Sequence, residues 1–490
     1  MAIKGGSIIH VGNDTVLIDR IQSAGPGQVN VPVEKVYELG NYQSVGQIRD
    51  TPDLTFSYES FDVSNESEIL LTNGYAGRTV SDAVTTNAST ALTSATAAFT
   101  SADVGRQIRI LGIGTSPQLD YVGTIATVTN ATTIVLSAAT GATAGGTSKT
   151  IQIATNGYQL ANCVPVDIAS EFKNGQTATL PYDVAYSVAL PFLYADSIAY
   201  KFGYSQNASI TAQLRGDSIF YNPGATYVET TVGTNAVNQA VPTVNPAYIY
   251  NGDGTPRRAL SVTVNNVRLT YGVDYTESYG AITNGAGITT VTLTTAYGAV
   301  PTTQTIRIMY SSPTTRQYLQ AVHPTTTVKP AALRGRDIDV YVGATFDPNN
   351  IAASSAFKWT SVQAVNLDWK VTLDKDQELG NYYAVNQDFD IPTVSGSIDL
   401  KVRNPADLLA KLKATGGVAT STEVIGAQAS TPLSLNIVLK DSANGGRTLK
   451  RFYIPDARFV IPGFNGQVQQ KLTQTITFDS DSGVLNTFNA

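Results

Sequence analysis

The sequence predicts a mainly β protein built from several small domains. Short stretches rich in Val, Ile, Thr, Tyr and Phe recur between Gly, Asn, Asp and Pro, which is typical of strands separated by turns. Segments 261–275 and 305–310 alternate apolar and polar residues, so that successive side chains face opposite sides of a sheet. The chain has 490 residues. At roughly 100 to 200 residues per domain, it holds about three or four compact units.

The main organising feature is an internal repeat. Residues 38–57 align without gaps on residues 378–397, at an offset of 340, and ten of the 20 positions are identical. The identities open with the same Glu-Leu-Gly-Asn-Tyr run, which starts at Glu38 in the first copy and at Glu378 in the second. Chance alone would give about one or two identities, so the repeat predicts two copies of one β domain.

Each copy is also expected to contain a short helix and a second matched block. Capping residues followed by an acid and leucines predict a helix over 404–413, and the similar opening at Ser64, Asn65 and Glu66 predicts a short helix in the first copy. Near the end of each copy, Asp196 matches Asp456 at an offset of 260. Because the offset falls between the two blocks, the first copy holds about 80 extra residues.

These matches divide the chain into four parts. The first repeat is discontinuous, over 1–74 and 156–221, and is interrupted at 75–155 by a module in which Ala, Thr, Ser and Gly dominate. A connecting β module follows over 222–330, and the second repeat covers 331–490. An insertion between core elements usually lies on an exposed loop. We therefore expect both added modules to project outward from the repeats.

The composition argues against catalysis and against tight binding of nucleic acid. The chain has 32 Lys and Arg against 38 Asp and Glu, for a formal charge of −6, whereas polyanion binding needs clustered cations. Only two histidines, His10 and His323, and one cysteine, Cys163, are present. We therefore expect no catalytic residue, no metal site and no cofactor. The sequence also lacks a signal-peptide pattern and a long apolar run, which favours synthesis in the cytoplasm and predicts no membrane span.

The repeated unit resembles the tail tube protein (major tail protein) of long-tailed bacteriophages. It combines a strand, the Glu-Leu-Gly-Asn-Tyr loop, a strand ending in Asp-x-Pro, a short helix and a closing β-hairpin. Segments 97–110, 125–138 and 262–283 are similar to small β modules of phage virion proteins. The resemblance implies tandem duplicated tail-tube-like β-sandwich domains, each with one short helix, plus two small inserted β modules. In the family variant with two fused tube domains per chain, three chains form a ring with pseudo-sixfold symmetry.

What the resemblance implies is a structural role and not an enzyme. Stacked rings would form the phage tail tube, a passive conduit for genome DNA during ejection, located in the virion and assembled in the host cytoplasm. The implied partners are further copies of the chain, other phage tail proteins, and genome DNA that passes through the lumen without specific binding. Two alternatives stay open: another phage structural protein, such as a capsid-surface or sheath component, and a surface adhesin or carbohydrate-binding β protein.

Residues that recur in both copies are the candidates for assembly contacts or for the wall of the lumen. They are Glu38, Asn41, Tyr42 and Asp50 in the first copy, and Glu378, Asn381, Tyr382 and Asp390 in the second. A purely structural interpretation of the same loops stays open, since a Gly in a turn and a Tyr packed on the sandwich would serve both copies equally. Elsewhere, Arg215-Gly216-Asp217 matches an integrin-binding tripeptide. Its Asp217 aligns with Asp479 of the second copy, which favours a structural turn.

Overall fold

The computed structural model confirms that the chain is mainly β. The residues that the structure describes are 7–10, 16–18, 20–30, 33–37, 44–49, 52–61, 63, 66–71, 77–104, 107–110, 121–140, 146–154, 158–159, 165–173, 184–204, 206–249, 257–283, 285–302, 304–313, 333–343, 357–359, 361–376, 386–401, 432–441, 447–460, 473–480 and 482–489.

The first part of the chain has strands that alternate buried and exposed residues, followed by a short helix. In β6, for example, Leu54, Phe56 and Tyr58 are buried and the residues between them face outward. The strands are β1 (Ser7–His10), β2 (Val16–Ile18), β3 (Ile21–Asn30), β4 (Val33–Tyr37), β5 (Ser44–Arg49) and β6 (Asp53–Ser60). Helix α1 (Glu66–Leu71) lies in the region where a short helix was predicted. The second predicted helix, over 404–413, lies outside the described residues.

A closed six-stranded barrel follows, within the stretch predicted to be inserted. Its strands are β7 (Gly77–Thr85), β8 (Ala91–Thr93), β9 (Gln107–Ile110), β10 (Tyr121–Asn130), β11 (Thr133–Leu136) and β12 (Gly146–Ala154). Buried aliphatic side chains such as Ile108, Ile134 and Ile151 form a core of its own. Gly77 and Ala154 are direct partners in the β7–β12 pair, so the chain enters and leaves the barrel at one point.

The chain then returns to the large antiparallel sheet assembly that contains β1, β2, β3 and β6, which is called the sandwich below, and continues into the connecting module. The returning strands are β13 (Tyr158–Gln159), β14 (Val166–Lys173), β15 (Val184–Gly203), β16 (Ser209–Gly216) and β17 (Phe220–Pro223). The connecting module contains β18 (Ala225–Val232), β19 (Ala240–Pro242), β20 (Ala247–Tyr248), β21 (Ala259–Val264), β22 (Val267–Arg268), β23 (Tyr275–Tyr279), β24 (Ala286–Gly287), β25 (Thr289–Leu293) and β26 (Thr305–Ser312). Strands therefore form in both segments where alternation predicted them.

The described residues of the last part of the chain form ten strands. They are β27 (Ile338–Val342), β28 (Phe357–Trp359), β29 (Val362–Lys370), β30 (Leu373–Asp376), β31 (Asn386–Phe389), β32 (Thr393–Lys401), β33 (Leu433–Asp441), β34 (Arg447–Val460), β35 (Thr473–Ser480) and β36 (Asn486–Asn489). Strands β27 to β29 and β32 to β36 belong to the same large antiparallel sheet assembly as the first part of the chain.

The strand pairs of the two halves correspond one to one. In the first half β1 pairs with β2 and β14, β14 with β15, β15 with β16 and β17, β16 with β6, and β6 with β3. In the second half β27 pairs with β28 and β33, β33 with β34, β34 with β35 and β36, β35 with β32, and β32 with β29. The hairpins β4–β5 and β30–β31 even share their register, since Lys35 faces Gln47 and Lys375 faces Gln387.

The strand registers shift one part of the sequence alignment. Ala195 pairs with Leu214, and Phe459 pairs with Phe478. Residues of β34 therefore correspond to residues of β15 at an offset of 264 and not 260. The match of Asp196 with Asp456 is therefore displaced by four positions. The reason is that hydrogen-bonded register fixes which residues are equivalent in paired strands, whereas isolated identical residues near a bulge do not. A register shift occurs in β15 at Asp196.

The two halves share one hydrophobic core and one continuous layer of strands. The layer has the order β3-β6-β16-β15-β29-β32-β35-β34. The long strands β15 and β34 begin in a second layer and end in this one, and each contains a proline at the corresponding position, Pro191 and Pro455. Register shifts in the β14–β15 and β33–β34 pairs accompany these positions, where a proline is tolerated because the ladder is interrupted.

Candidate assembly interface

The junction between the two halves is an antiparallel strand pair. β15 of the first half pairs with β29 of the second over seven positions, from Ser197 opposite Lys370 to Gly203 opposite Ala364. The pairing continues at one end, where the Tyr204 N–H donates to the carbonyl of Gln363 at 2.8 Å. The two halves are thereby joined edge to edge, which satisfies backbone groups that a free strand edge would expose.

A buried ion pair lies beside this junction. The Lys450 ammonium on β34 lies 2.6 Å from a carboxylate oxygen of Glu68 on α1, and both side chains are almost fully buried. The Tyr200 hydroxyl on β15 donates a hydrogen bond to the same carboxylate oxygen. Removing one member of such a pair leaves a buried charge, which typically costs about 3–5 kcal/mol. The ion pair therefore couples α1 of the first half to β34 of the second.

Aromatic side chains fill the space around the ion pair. The rings of Tyr200 and Phe452 meet edge to face with centroids 4.6 Å apart. The ring centroid of Phe202 lies 5.8 Å from that of Phe452. The Lys450 ammonium lies 4.9 Å from the centre of the Phe452 ring. Burial raises the pKa of the nearby Tyr58 phenol, and the Glu68 carboxylate raises it further. Tyr58 is therefore a neutral hydrogen-bond donor, and it donates to the Ser67 hydroxyl at 2.9 Å.

A short strand of the first half also joins the sheet of the second. β13 pairs with β36, with Tyr158 opposite Thr487 and Gln159 opposite Asn486. Sequence reasoning missed this pair and the ion pair between Glu68 and Lys450. No local pattern signals a contact between residues 382 positions apart. The one available signal is a charged residue inside an otherwise apolar strand or helix face, because such a residue needs a partner when it is buried.

Seven of the eight residues predicted for assembly or for the lumen lie outside the described residues. They are Glu38, Asn41, Tyr42, Asp50, Glu378, Asn381 and Tyr382. The eighth, Asp390, is exposed just after β31, and its N–H donates to the carbonyl of Thr372 at 3.0 Å. The structure does not bring it together with a second predicted residue among those it describes. The assignment of these residues to assembly or to the lumen stays a prediction.

The connecting module is attached to the first half by two buried ion pairs. Asp217 is buried and binds Arg268, one guanidinium nitrogen of which lies 2.8 and 2.6 Å from the two carboxylate oxygens. The Arg307 guanidinium lies 2.9 Å from the carboxylate of Asp167, which also accepts the N–H of Phe192. The Arg215-Gly216-Asp217 segment thus places its carboxylate in an internal contact, as the structural interpretation requires.

Two searches of the described residues bear on other kinds of site. In that part of the chain no group of three or more His, Cys, Asp or Glu side chains is placed to hold a metal ion. Nor does any helix there have the length and apolar character needed to cross a membrane.

Comparisons with known proteins add little to these structural findings. No family model matches the sequence, and no curated protein matches it. The chain is similar to one chain in a cryo-EM structure of the anti-feeding prophage (AFP) baseplate, 6-fold symmetrised, at 12% identity. The similarity covers 31% of this chain and 92% of that chain, with a TM-score of 0.19. A TM-score this low carries no argument about fold or function.

Proposed function

We propose that this protein is a structural virion protein that forms stacked rings of a phage tail tube, with three chains in each ring. Each chain contributes two copies of one β-sandwich unit, so that three chains supply six units. The tube is a passive conduit for genome DNA, and its partners are further copies of the chain and other tail proteins. The proposal rests on the sequence resemblance and on the strand pairing within the chain.

One observation carries the proposal: the chain repeats one set of strand pairs and joins the two sets through β15 and β29 into a continuous layer. The junction is head to tail, because different edges of the two units meet. Repetition of a head-to-tail contact produces a ring when the rotation closes and a filament when it does not. A ring also removes the two strand edges that end the layer in a single chain.

The charge of the chain suits a channel through which DNA slides. Each chain has a formal charge of −6, and a polyanion is held only where cations cluster. Replacing Glu38 and Glu378 with Lys tests this point, and Asp50 and Asp390 form a second pair. If these residues line the lumen, the Lys variants should slow DNA passage in a salt-dependent manner.

Electron microscopy of the purified full-length protein tests the proposal. We expect hollow tubes whose rings contain three chains, counted by mass measurement of intact rings. Rings of six full-length chains would exclude the pseudo-sixfold arrangement. A knob bound to a phage shell would support a capsid-surface protein instead, and a dispersed monomer that binds polysaccharide would support an adhesin.

A further inference from the structure

Two corresponding strands of the continuous layer, β29 and β3, have different surroundings. In the second half, β29 lies between β32 and β15, so a strand covers each of its edges. Its first-half counterpart, β3, pairs with β6 alone among the strands that the structure describes. The outer edge of β3 therefore corresponds to an edge that, in the second half, is covered by the neighbouring half of the chain.

A second strand edge shows the same difference. β36 lies between β34 and β13, and Thr487 in this strand is fully buried. The first-half counterpart of β36 is β17, which within the described part of the chain pairs with β15 only. Tyr221 in β17 takes the place of Thr487, since it faces Val188 as Thr487 faces Phe452. Its exposed fraction is 61%.

The side chains next to these edges differ in the same way. The register places Tyr186 at the position of Lys450, because Tyr186 faces Pro223 as Lys450 faces Asn489. Lys450 is 1% exposed, beneath α1 of the other half. Tyr186 is only half-buried, and it stacks on Tyr221 with ring centroids 6.3 Å apart. Exposed aromatic rings of this kind are enriched at the centres of protein interfaces.

We propose that this first-half surface, made of the outer edges of β3 and β17 with Tyr186 and Tyr221, binds the second half of another copy of the chain. The inference rests on the proposed function, which requires contacts between copies, and it adds the surface and the register of that contact. The partner is a second copy because the intrachain junction already shows what covers the equivalent surface: one half of this same chain.

The intrachain junction also gives the expected register between copies. The register shift at Asp196 lowers the offset between β15 and β34 from 264 to 263 beyond that residue. Val460 therefore occupies the place of Ser197, since Val460 faces Thr477 in β35 as Ser197 faces Gln213 in the corresponding strand β16. Asn30 occupies the place of Lys370, since each is the partner of the first residue of the next layer strand, Asp53 or Thr393. Val460 of one copy should therefore lie opposite Asn30 of the next. In the single chain Val460 is 56% exposed.

Disulfide trapping tests the register. With Cys163 replaced by Ala, Asn30→Cys combined with Val460→Cys should give covalent oligomers on mild oxidation. Partners in antiparallel strands have Cα atoms about 4.5–5.5 Å apart, and a disulfide spans about 4.4–6.8 Å. The matched control is Ser197→Cys with Lys370→Cys, which should form a disulfide within one chain. Asn30→Cys with Phe459→Cys, out of register by one residue, should give few covalent oligomers.

A surface substitution tests the aromatic pair. Tyr221→Glu should abolish association between copies, because it places a charge in the contact. Val244→Glu, at a 78% exposed position of the connecting module, is the matched control and should assemble as the parent protein does. Thermal unfolding shows whether each variant is folded, and Tyr221→Ser replaces Tyr221→Glu if the latter does not fold.

The outcomes separate this inference from the proposed function. Tubes that form normally from Tyr221→Glu or Tyr221→Ser, together with no in-register covalent oligomers, would overturn the inference and leave the tube intact. In-register oligomers from a protein that never forms tubes would support the inference and exclude the tail tube. Loss of tubes on substitution of Tyr221, together with in-register oligomers, would support both.

Discussion

The two added β modules join the rest of the chain in different ways. The barrel formed by β7 to β12 has strand pairs and a core that are internal to it, and its first and last strand residues, Gly77 and Ala154, are partners. The connecting module sends Arg268 and Arg307 into buried ion pairs with the sandwich. It also packs apolar side chains such as Met309 on the sandwich. Two modules of similar composition can therefore be coupled to the same sandwich very differently, and buried charges mark the module that is coupled more tightly.

The largest expected effect of breaking this coupling comes from Asp167→Ala. The Asp167 carboxylate is 1% exposed and is bound by Arg307 and by the N–H of Phe192. Its removal leaves the buried Arg307 without this charged partner, and we expect the free energy of unfolding to fall by about 3–5 kcal/mol.

Denaturant unfolding followed by tryptophan fluorescence measures this change. The two tryptophans of the chain, Trp359 and Trp369, are both buried in the sandwich. Asp82→Ala, in the barrel, is the control and should leave the fluorescence transition unchanged. A loss below about 1 kcal/mol for Asp167→Ala would mean that water or a rearranged partner replaces the ion pair.

The sequence predicted much of the fold because strands and repeats leave local signals. Alternation predicted strands at 261–275 and 305–310 in the connecting module, and the offset of 340 matched the hairpins β4–β5 and β30–β31 to the correct register. The contacts between the halves could not be predicted. Glu68 and Lys450 meet through the packing of a helix on a distant strand, and no periodic pattern links them. The same holds for Arg307 and Asp167, since strand alternation does not show which module a buried charge faces.

A cavity in the barrel should have a smaller and local effect. Ile134 is fully buried in the barrel core, and Ile134→Ala should cost about 2–5 kcal/mol of barrel stability. Because the barrel core is separate from the sandwich core, hydrogen exchange should quicken in β7 to β12 and stay unchanged in the sandwich. Met309→Ala, at a buried site in the connecting module that packs with Ala189 of β15 and Phe220 of β17, is the contrast, since exchange should also quicken in those two strands. If both substitutions quicken hydrogen exchange in the sandwich equally, the barrel and the connecting module do not differ in how they are coupled to it.

The two modules should respond to pH in opposite directions. A hydrogen bond from Ser94 lowers the pKa of Asp82 in the barrel below its ordinary value of 3.8. The stability that Asp82 contributes to the barrel is therefore full above pH 3.8 and is lost as the pH falls through the lowered pKa. Burial raises the pKa of Glu277 in the connecting module above 4.5, so the stability it contributes is full below 4.5 and is lost as the pH rises through the raised pKa. Hydrogen exchange of each module between about pH 3 and 6 measures the two slopes. Asp82→Asn and Glu277→Gln should each flatten the slope of their own module only.

Removal of the whole barrel should have the smallest effect on the sandwich. Gly77 and Ala154 are cross-strand partners, so a short Gly-Ser bridge in place of 78–153 closes the chain without stretching it. We expect the tryptophan transition to shift by no more than about 0.5 kcal/mol, as for changes remote from a core. We also expect tubes of unchanged inner diameter by electron microscopy. Deletion of 226–311 is the contrasting variant: it removes both arginines and leaves Asp167 and Asp217 buried without them, so it should fail to fold stably. If the barrel deletion instead abolishes assembly while the sandwich stays folded, the barrel supplies contacts between copies and is not an autonomous addition.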